Sequence, residues 1–347
     1  MTANGLFEVL DGSVIPAVAA SVITRGGEHW TYHRGLANVQ TGEALTPGHA
    51  FDLASLTKVL VALPEVLALL NEGKLSLESR IGDLLPECGW MQEGGLKAQT
   101  VAALLTHTGG LDAWRPLYLY PADRSTLLQR LLQSGEWWNP PPGGPVYSDL
   151  GFVVLTAVVE RLRGVRIDAL AALRSGLTFR PVGGAAGTAP AADPRPSVAT
   201  EVCPWRGRTL QGEVHDENAW ALGGVSGHAG AFGTLEQVTD LVERYLDETL
   251  LPAEVLRLAR REWAAMGSVR RGLGWQLGHP EAFGGARCSP QGYGHTGFTG
   301  TSVWIEPERG YAAVLLTNRV HLSRFIHSTE IVRLRRAFHD RVHAELA

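Results

Sequence analysis

At 347 residues, 45% hydrophobic and 19% charged, the chain can bury a large core in one or two domains, which excludes a disordered or fibrous protein. A formal net charge of −4 without a basic block leaves no electrostatic footprint for nucleic acid or an anionic membrane. Cys88, Cys203 and Cys288 are odd in number and far apart, so neither a disulfide framework nor a thiolate metal site is expected, and with no leader-like N-terminus or run of ~20 apolar residues a cytoplasmic location is expected.

In chain order, residues 14–37 hold two β-like runs around Arg25-Gly26-Gly27, a hairpin signal, and Thr46-Pro47-Gly48 reads as a turn. From Ser55 to Asn71 the pattern is helical, with Pro64 predicted to kink or interrupt it and Gly73 to stop it. Short helices are predicted over 76–85 and 100–106, the second capped by Thr100 and leading into LLTHTGGL. The Pro/Gly-rich loop 139–145 delivers Tyr147-Ser148-Asp149 to a helix over 150–163 that Gly164 ends. Residues 181–198, rich in Gly, Ala and Pro, read as a long loop. Thr234-Leu235-Glu236-Gln237 forms a capping box for a helix to about Asp247, and a further helix is predicted over 253–266. The period then returns to β over 272–278, 299–306 and 310–318, with a hairpin turn at 306–310, before an amphipathic helix over 323–345. β signals at both ends with helices between them predict one sheet built from both termini and an inserted helical domain.

The chemistry concentrates at Ser55-Leu56-Thr57-Lys58. A serine and a lysine three apart on a helix share a face. An amine beside a serine hydroxyl in a desolvated pocket can take its proton, because burial lowers a lysine's pKa. The chain has 28 arginines but only three lysines, Lys58, Lys74 and Lys97, and arginine cannot do this work. The plainer alternative is a helix start, with Ser55 as N-cap and Lys58 solvated. No serine sits in a G-x-S-x-G elbow; Gly224-Val225-Ser226-Gly227-His228 comes nearest, with histidine in place of the second glycine.

Taken in order, Ser55-x-x-Lys58, Tyr147-Ser148-Asp149 and His295-Thr296-Gly297 resemble the S-x-x-K, Y-x-N and K-T-G motifs of the serine β-lactamase and penicillin-binding-protein superfamily. LLTHTGGL, GHAGAFGTLEQ, GLGW and HTGFTGTSVWIEPERG extend the likeness over nearly the whole chain, most closely toward class C β-lactamases, D-stereospecific peptidases and related carboxylesterases. The resemblance implies an α/β (α+β) fold: an antiparallel sheet with flanking terminal helices over 1–58 and 268–347, and a helical domain over 59–267, with the site between them. It implies an acyl-Ser55 intermediate, Lys58 and Tyr147 sharing the serine proton, and Tyr147 as general base with a pKa lowered by the ammonium. The oxyanion hole would be the backbone N–H groups of Ser55 and Phe298, and His295, Thr296 and Gly297 would face Ser55 from an edge strand.

Two positions depart from the pattern. Asp149 stands where asparagine is common; it either pairs with Lys58, shifting the base role to Tyr147, or caps the following helix. His295 stands where β-lactamases usually carry lysine, which speaks against efficient β-lactam turnover and toward an esterase or D-aminopeptidase. A small ester, amide or β-lactam is therefore the expected partner, with carboxylesterase-like hydrolysis ranked first. β-Lactamase or D-peptidase activity is the alternative, and a non-catalytic penicillin-binding or sensor domain the alternative of another class. No cofactor is expected. His215-Asp216-Glu217-Asn218, consecutive in a loop, is read as cleft lining, not a metal site, and His107 and His228 as structural hydrogen-bonding residues. Most of the ten tryptophans are assigned to core or cleft wall.

Overall fold

The strand Ala17–Thr24 explains how the two chain ends are joined. Its alternate residues divide between two cores: Ala17, Ala19 and Ile23 enter one, and Val18, Ala20 and Val22 the other. Both faces are covered, so the strand is nearly continuously apolar. Along its length it pairs antiparallel with Tyr311–Thr317, in the register Val18↔Thr317 to Thr24↔Tyr311. The computed structural model describes residues 3–88, 95–133, 135–139, 143–181 and 194–347. Within them these two strands lie inside a nine-stranded antiparallel sheet. Its order is 43–44, 29–38, 17–24, 311–317, 302–306, 293–296, 276–277, 269–271 and 264–266. The mixed α/β architecture with a sheet drawn from both termini is the expected fold class.

One sheet face is closed by the terminal helices Ala3–Asp11 and Ser328–Leu346, through Leu6, Leu10, Leu334 and Phe338. The residue pattern does not place the first of these helices, although the resemblance implies terminal helices flanking the sheet. The other face packs on helix Leu235–Leu246, and the core there continues into helices Leu63–Asn71 and Asp149–Arg163. Helix Leu235–Leu246 begins with the capping box, Thr234 and Gln237 each bonding the other's backbone. A hydrogen bond of 2.6 Å between Ser21 and Thr239 ties it to the sheet.

The helix starting near Ser55 differs from the expected kinked α-helix. Residues Lys58–Ala62 form a π turn, closed by Leu63 N–H donating to Lys58 O, and an α-helix follows over Leu63–Asn71. Pro64 lies in the first turn of that α-helix, where its missing N–H costs little, so it starts a helix and does not break one. The helix predicted over 253–266 ends at Ala259, and Ala264–Met266 forms the outermost strand. Short edge strands carry too few residues for a period-2 pattern to register. Most of the 181–198 segment, and residues 140–142 of the Pro/Gly loop, lie outside the described residues. Among the described residues no helix is long and apolar enough to cross a membrane.

Candidate active site

Ser55 stands on a tight turn. Ala54 just before it has φ of 45°, in the left-handed region, which a non-glycine residue occupies only when its surroundings enforce it. The enforcing bonds are local and long-range. Ala54 N–H donates to Asp52 Oδ1 at 2.8 Å, and Thr57 Oγ1 donates to Ala54 O at 2.6 Å. Thr299 and Thr301 donate to the carbonyls of Asp52 and Leu53 at 2.7 and 3.0 Å. The Ser55 turn is thus stitched to the loop that follows the strand Tyr293–Thr296.

Lys58 is fully buried; its ammonium donates to Ser55 Oγ and to His228 O, both at 2.9 Å, and forms an ion pair with Asp149 Oδ1 at 2.7 Å. Asp149 therefore pairs with Lys58, and the helix Asp149–Arg163 is capped by its neighbour: Ser148 Oγ accepts from Gly151 N–H. Burial alone pulls the Lys58 pKa down, but the charge of Asp149, with that of Tyr147 behind it, pushes it up, and the net direction is up. This is the Asp149-paired alternative, with Lys58 held protonated, and not a lysine whose pKa burial has lowered. Tyr147 differs from expectation. Burial raises its pKa, Lys58 lowers it and Asp149 raises it again, leaving the phenol above its ordinary value. The Lys58 ammonium lies 5.1 Å from the Tyr147 ring centroid.

His107 braces the tyrosine. Its Nδ1 accepts from Ser148 N–H at 3.1 Å, its carbonyl accepts from Val146 N–H at 2.8 Å, and its ring lies 4.6 Å from that of Tyr147. His228, whose carbonyl receives Lys58, is held through its ring by Ser226 Oγ at 2.7 Å and Asp216 Oδ1 at 2.9 Å.

His295 and Thr296 close the opposite wall. Their strand is not the sheet edge, because 276–277 pairs on its far side, but that pairing covers only Tyr293 and Gly294. His295 and Thr296 lie beyond it, and both line the cleft. His295 Nδ1 donates to Thr296 O at 2.9 Å, since a carbonyl can only accept. Burial, then Lys58 and Arg271, hold its pKa well below the usual histidine value. The imidazole is neutral at pH 7 and presents Nε2 as an acceptor, not a cation.

Gly297 has no room for a side chain: a Cβ would sit 2.1 Å from Thr301 Oγ1 and 2.5 Å from Leu53 O. Its carbonyl accepts from Arg335 at 2.7 Å. Because a trans peptide is planar, this fixes the Phe298 N–H pointing the opposite way. Arg319 fixes the other side, donating to Phe298 O at 2.7 Å. Among the described residues, neither the Ser55 nor the Phe298 N–H has a protein acceptor.

The cleft holding these groups measures about 940 Å³ and is also lined by His215, Asp216 and Glu217. No metal-ligating cluster exists among the described residues. Trp114 is the tryptophan on the cleft wall, while Trp275 and Trp304 are core. Sequence reasoning missed Arg271, on the strand Val269–Arg271. It lines the cleft, its guanidinium lies 5.6 Å from the Tyr147 ring centroid, its Nε is buried without a hydrogen-bond partner, and it makes no ion pair among the described residues. Nothing local in sequence marks it, since its neighbours there are ordinary strand residues.

A family model described as Beta-lactamase matches residues 4–335. A putative D-alanyl-D-alanine carboxypeptidase of Escherichia coli (strain K12) is 30% identical over 315 residues, covering 80% of this chain and 70% of that protein. By fold the chain is similar to a class C beta-lactamase mutant (TM-score 0.72, 18% identical, covering 96% of this chain and 95% of that one). It is equally similar to EstCE1, a hydrolase with promiscuous acyltransferase activity (TM-score 0.72, 18% identical, covering 98% of each).

Proposed function

The chain belongs to the Beta-lactamase family and is a serine hydrolase of that superfamily, and we propose that it cleaves small esters or amides through an acyl-Ser55 intermediate, with carboxylesterase-like hydrolysis first. The observation that carries this reading is the Lys58 ammonium, 2.9 Å from Ser55 Oγ and 2.7 Å from Asp149. Held protonated, Lys58 donates to the serine oxygen and stabilises it as it becomes an alkoxide. The base is then Tyr147 as its phenolate, the form reached when the Lys58–Tyr147 pair has lost one proton, and it takes the Ser55 proton as Oγ attacks the carbonyl carbon. The N–H groups of Ser55 and Phe298 receive the oxyanion. Tyr147 returns the proton to the leaving oxygen or nitrogen, and water, deprotonated by Tyr147 in turn, releases the acid and restores Ser55.

A second reading, D-peptidase action, is favoured by the name of the relative at 30% identity. A neutral His295 and the Lys58-paired Asp149 favour the ester reading over β-lactam turnover. Mass spectrometry after a fluorophosphonate probe should place the adduct on Ser55 and lose it in Ser55→Ala. Rates on a p-nitrophenyl ester, a D-alanyl dipeptide and nitrocefin then rank the substrates. A folded protein with no Ser55 adduct ends the hydrolase mechanism, and a strong preference for nitrocefin reverses the ranking.

A further inference from the structure

Four of the fifteen large apolar side chains exposed among the described residues fall within residues 322–332: Leu322, Phe325, Ile326 and Val332. Scattered exposed apolar residues need no explanation, but a contiguous group on one rim does. Phe325 is 81% exposed and Val332 57% exposed, and both line the cleft that contains Ser55. Phe298 lines it too, half-exposed, and it is the residue whose N–H faces the acyl carbonyl in the proposed reaction.

The backbone under this lip is fixed. Arg324 is clamped by Glu201, at 2.6 Å, and by Glu217, while Arg319 donates to Arg324 O at 2.8 Å. Arg319 also lies 4.2 Å from the centroid of the Phe298 ring, and His215 stacks on that ring at 5.7 Å. Arg319 and Arg324 are thus spent on protein groups, and the apolar surfaces this rim presents to the cleft are Phe325, Val332 and the exposed part of Phe298. An apolar rim on the cleft that holds Ser55 suits an apolar acyl chain.

We propose that Phe298, Phe325 and Val332 form an acyl-chain subsite, and that the enzyme selects esters or amides of apolar acids with several carbons over acetyl compounds. This rests on the acyl-Ser55 reading. The occupant is the substrate's own acyl chain, because the rim is continuous with the cleft around Ser55.

The test compares kcat/KM for p-nitrophenyl acetate, butyrate and hexanoate with the full chain, Phe325→Ala, Val332→Ser and the double variant. Wild-type kcat/KM should rise about tenfold from acetate to hexanoate, a fraction of what full burial of the added methylenes would give. Each single variant should lower the hexanoate-to-acetate ratio about threefold, and the double variant should bring it close to unity. A flat or falling wild-type series overturns the subsite. So does an unchanged ratio in the variants, including the case in which they abolish self-association instead, which would make the lip a contact between copies. Acylation of Ser55 by all three esters without a chain-length trend removes this inference alone; absence of acylation by any of them removes the hydrolase reading with it.

Discussion

Asp149→Asn removes one negative charge 2.7 Å from the Lys58 ammonium and keeps the side chain's size. At an effective dielectric of about 20 that contact is worth about 6 kcal/mol. Asp149 partly reaches solvent, so this is a ceiling, and the pH–rate profile is expected to move downward by about 1–2 pH units. The sign follows from the carboxylate raising the pKa of both Lys58 and Tyr147, so its loss lowers both. In the proposed reaction the active form of this pair has lost one proton, so kcat/KM rises with pH through a macroscopic pKa of the pair. The rising limb should therefore lie at lower pH in Asp149→Asn. Arg271→Gln removes a positive charge beside Tyr147 and should move the limb upward by about half a unit to one unit. The assay is kcat/KM for an uncharged ester from about pH 5 to about pH 10, with competent enzyme counted by active-site titration. Asp149→Asn should also melt earlier, since breaking a buried pair costs about 3–5 kcal/mol, and less so at high pH where Lys58 can shed its proton. A limb that stays put or moves upward in Asp149→Asn, or that moves the same way in both variants, refutes this electrostatic account.

Gly297→Ala forces a Cβ to within 2.1 Å of Thr301 Oγ1 and should displace the Phe298 N–H, lowering kcat/KM about 100-fold; activity within threefold of wild type contradicts this role. Arg335, buried and bonded to Gly297 O and Thr301 O at 2.7 and 2.8 Å, orients the same peptide from the C-terminal helix. Arg335→Met should weaken a boronate transition-state analogue more than it raises KM, with partial recovery in Arg335→Lys; equal losses would mark a merely structural residue. His107, His295 and His339 are each held well below the ordinary histidine pKa, burial being the largest cause. Their stability contribution is complete above the unfolded-state value of about 6.5 and is lost as pH falls, at up to about 1.4 kcal/mol per pH unit for each. Melting temperature should drop from pH 7 to pH 5, and the slope should be shallower in His339→Leu, because neither His339 nitrogen has a partner; parallel slopes would show that His339 is not part of the effect.

The features legible in sequence are those whose cause is local. Thr100 caps its helix by accepting from Ala103 N–H, Gly164 ends another in the left-handed conformation at φ of 71°, and Thr234 and Gln237 make their capping box. Each follows from residues within a turn of one another. Ser55 and Lys58 are legible for the same reason, since three residues of helix place hydroxyl and amine on one face. Charge state is legible only as a choice: burial lowers a lysine's pKa, while Asp149 could either pair with Lys58 or cap its own helix, and only the tertiary contact at 2.7 Å decides. Arg271 arrives from the sheet's outer strands and carries no local mark. The reacting atoms proposed for this chain therefore follow from motifs, while the direction in which protons would flow between them is set by tertiary contacts. The Asp149 and Arg271 substitutions therefore remove two opposite charges from the Lys58–Tyr147 pair, and because its titration is macroscopic they should move the rising limb in opposite directions whichever member carries the missing proton.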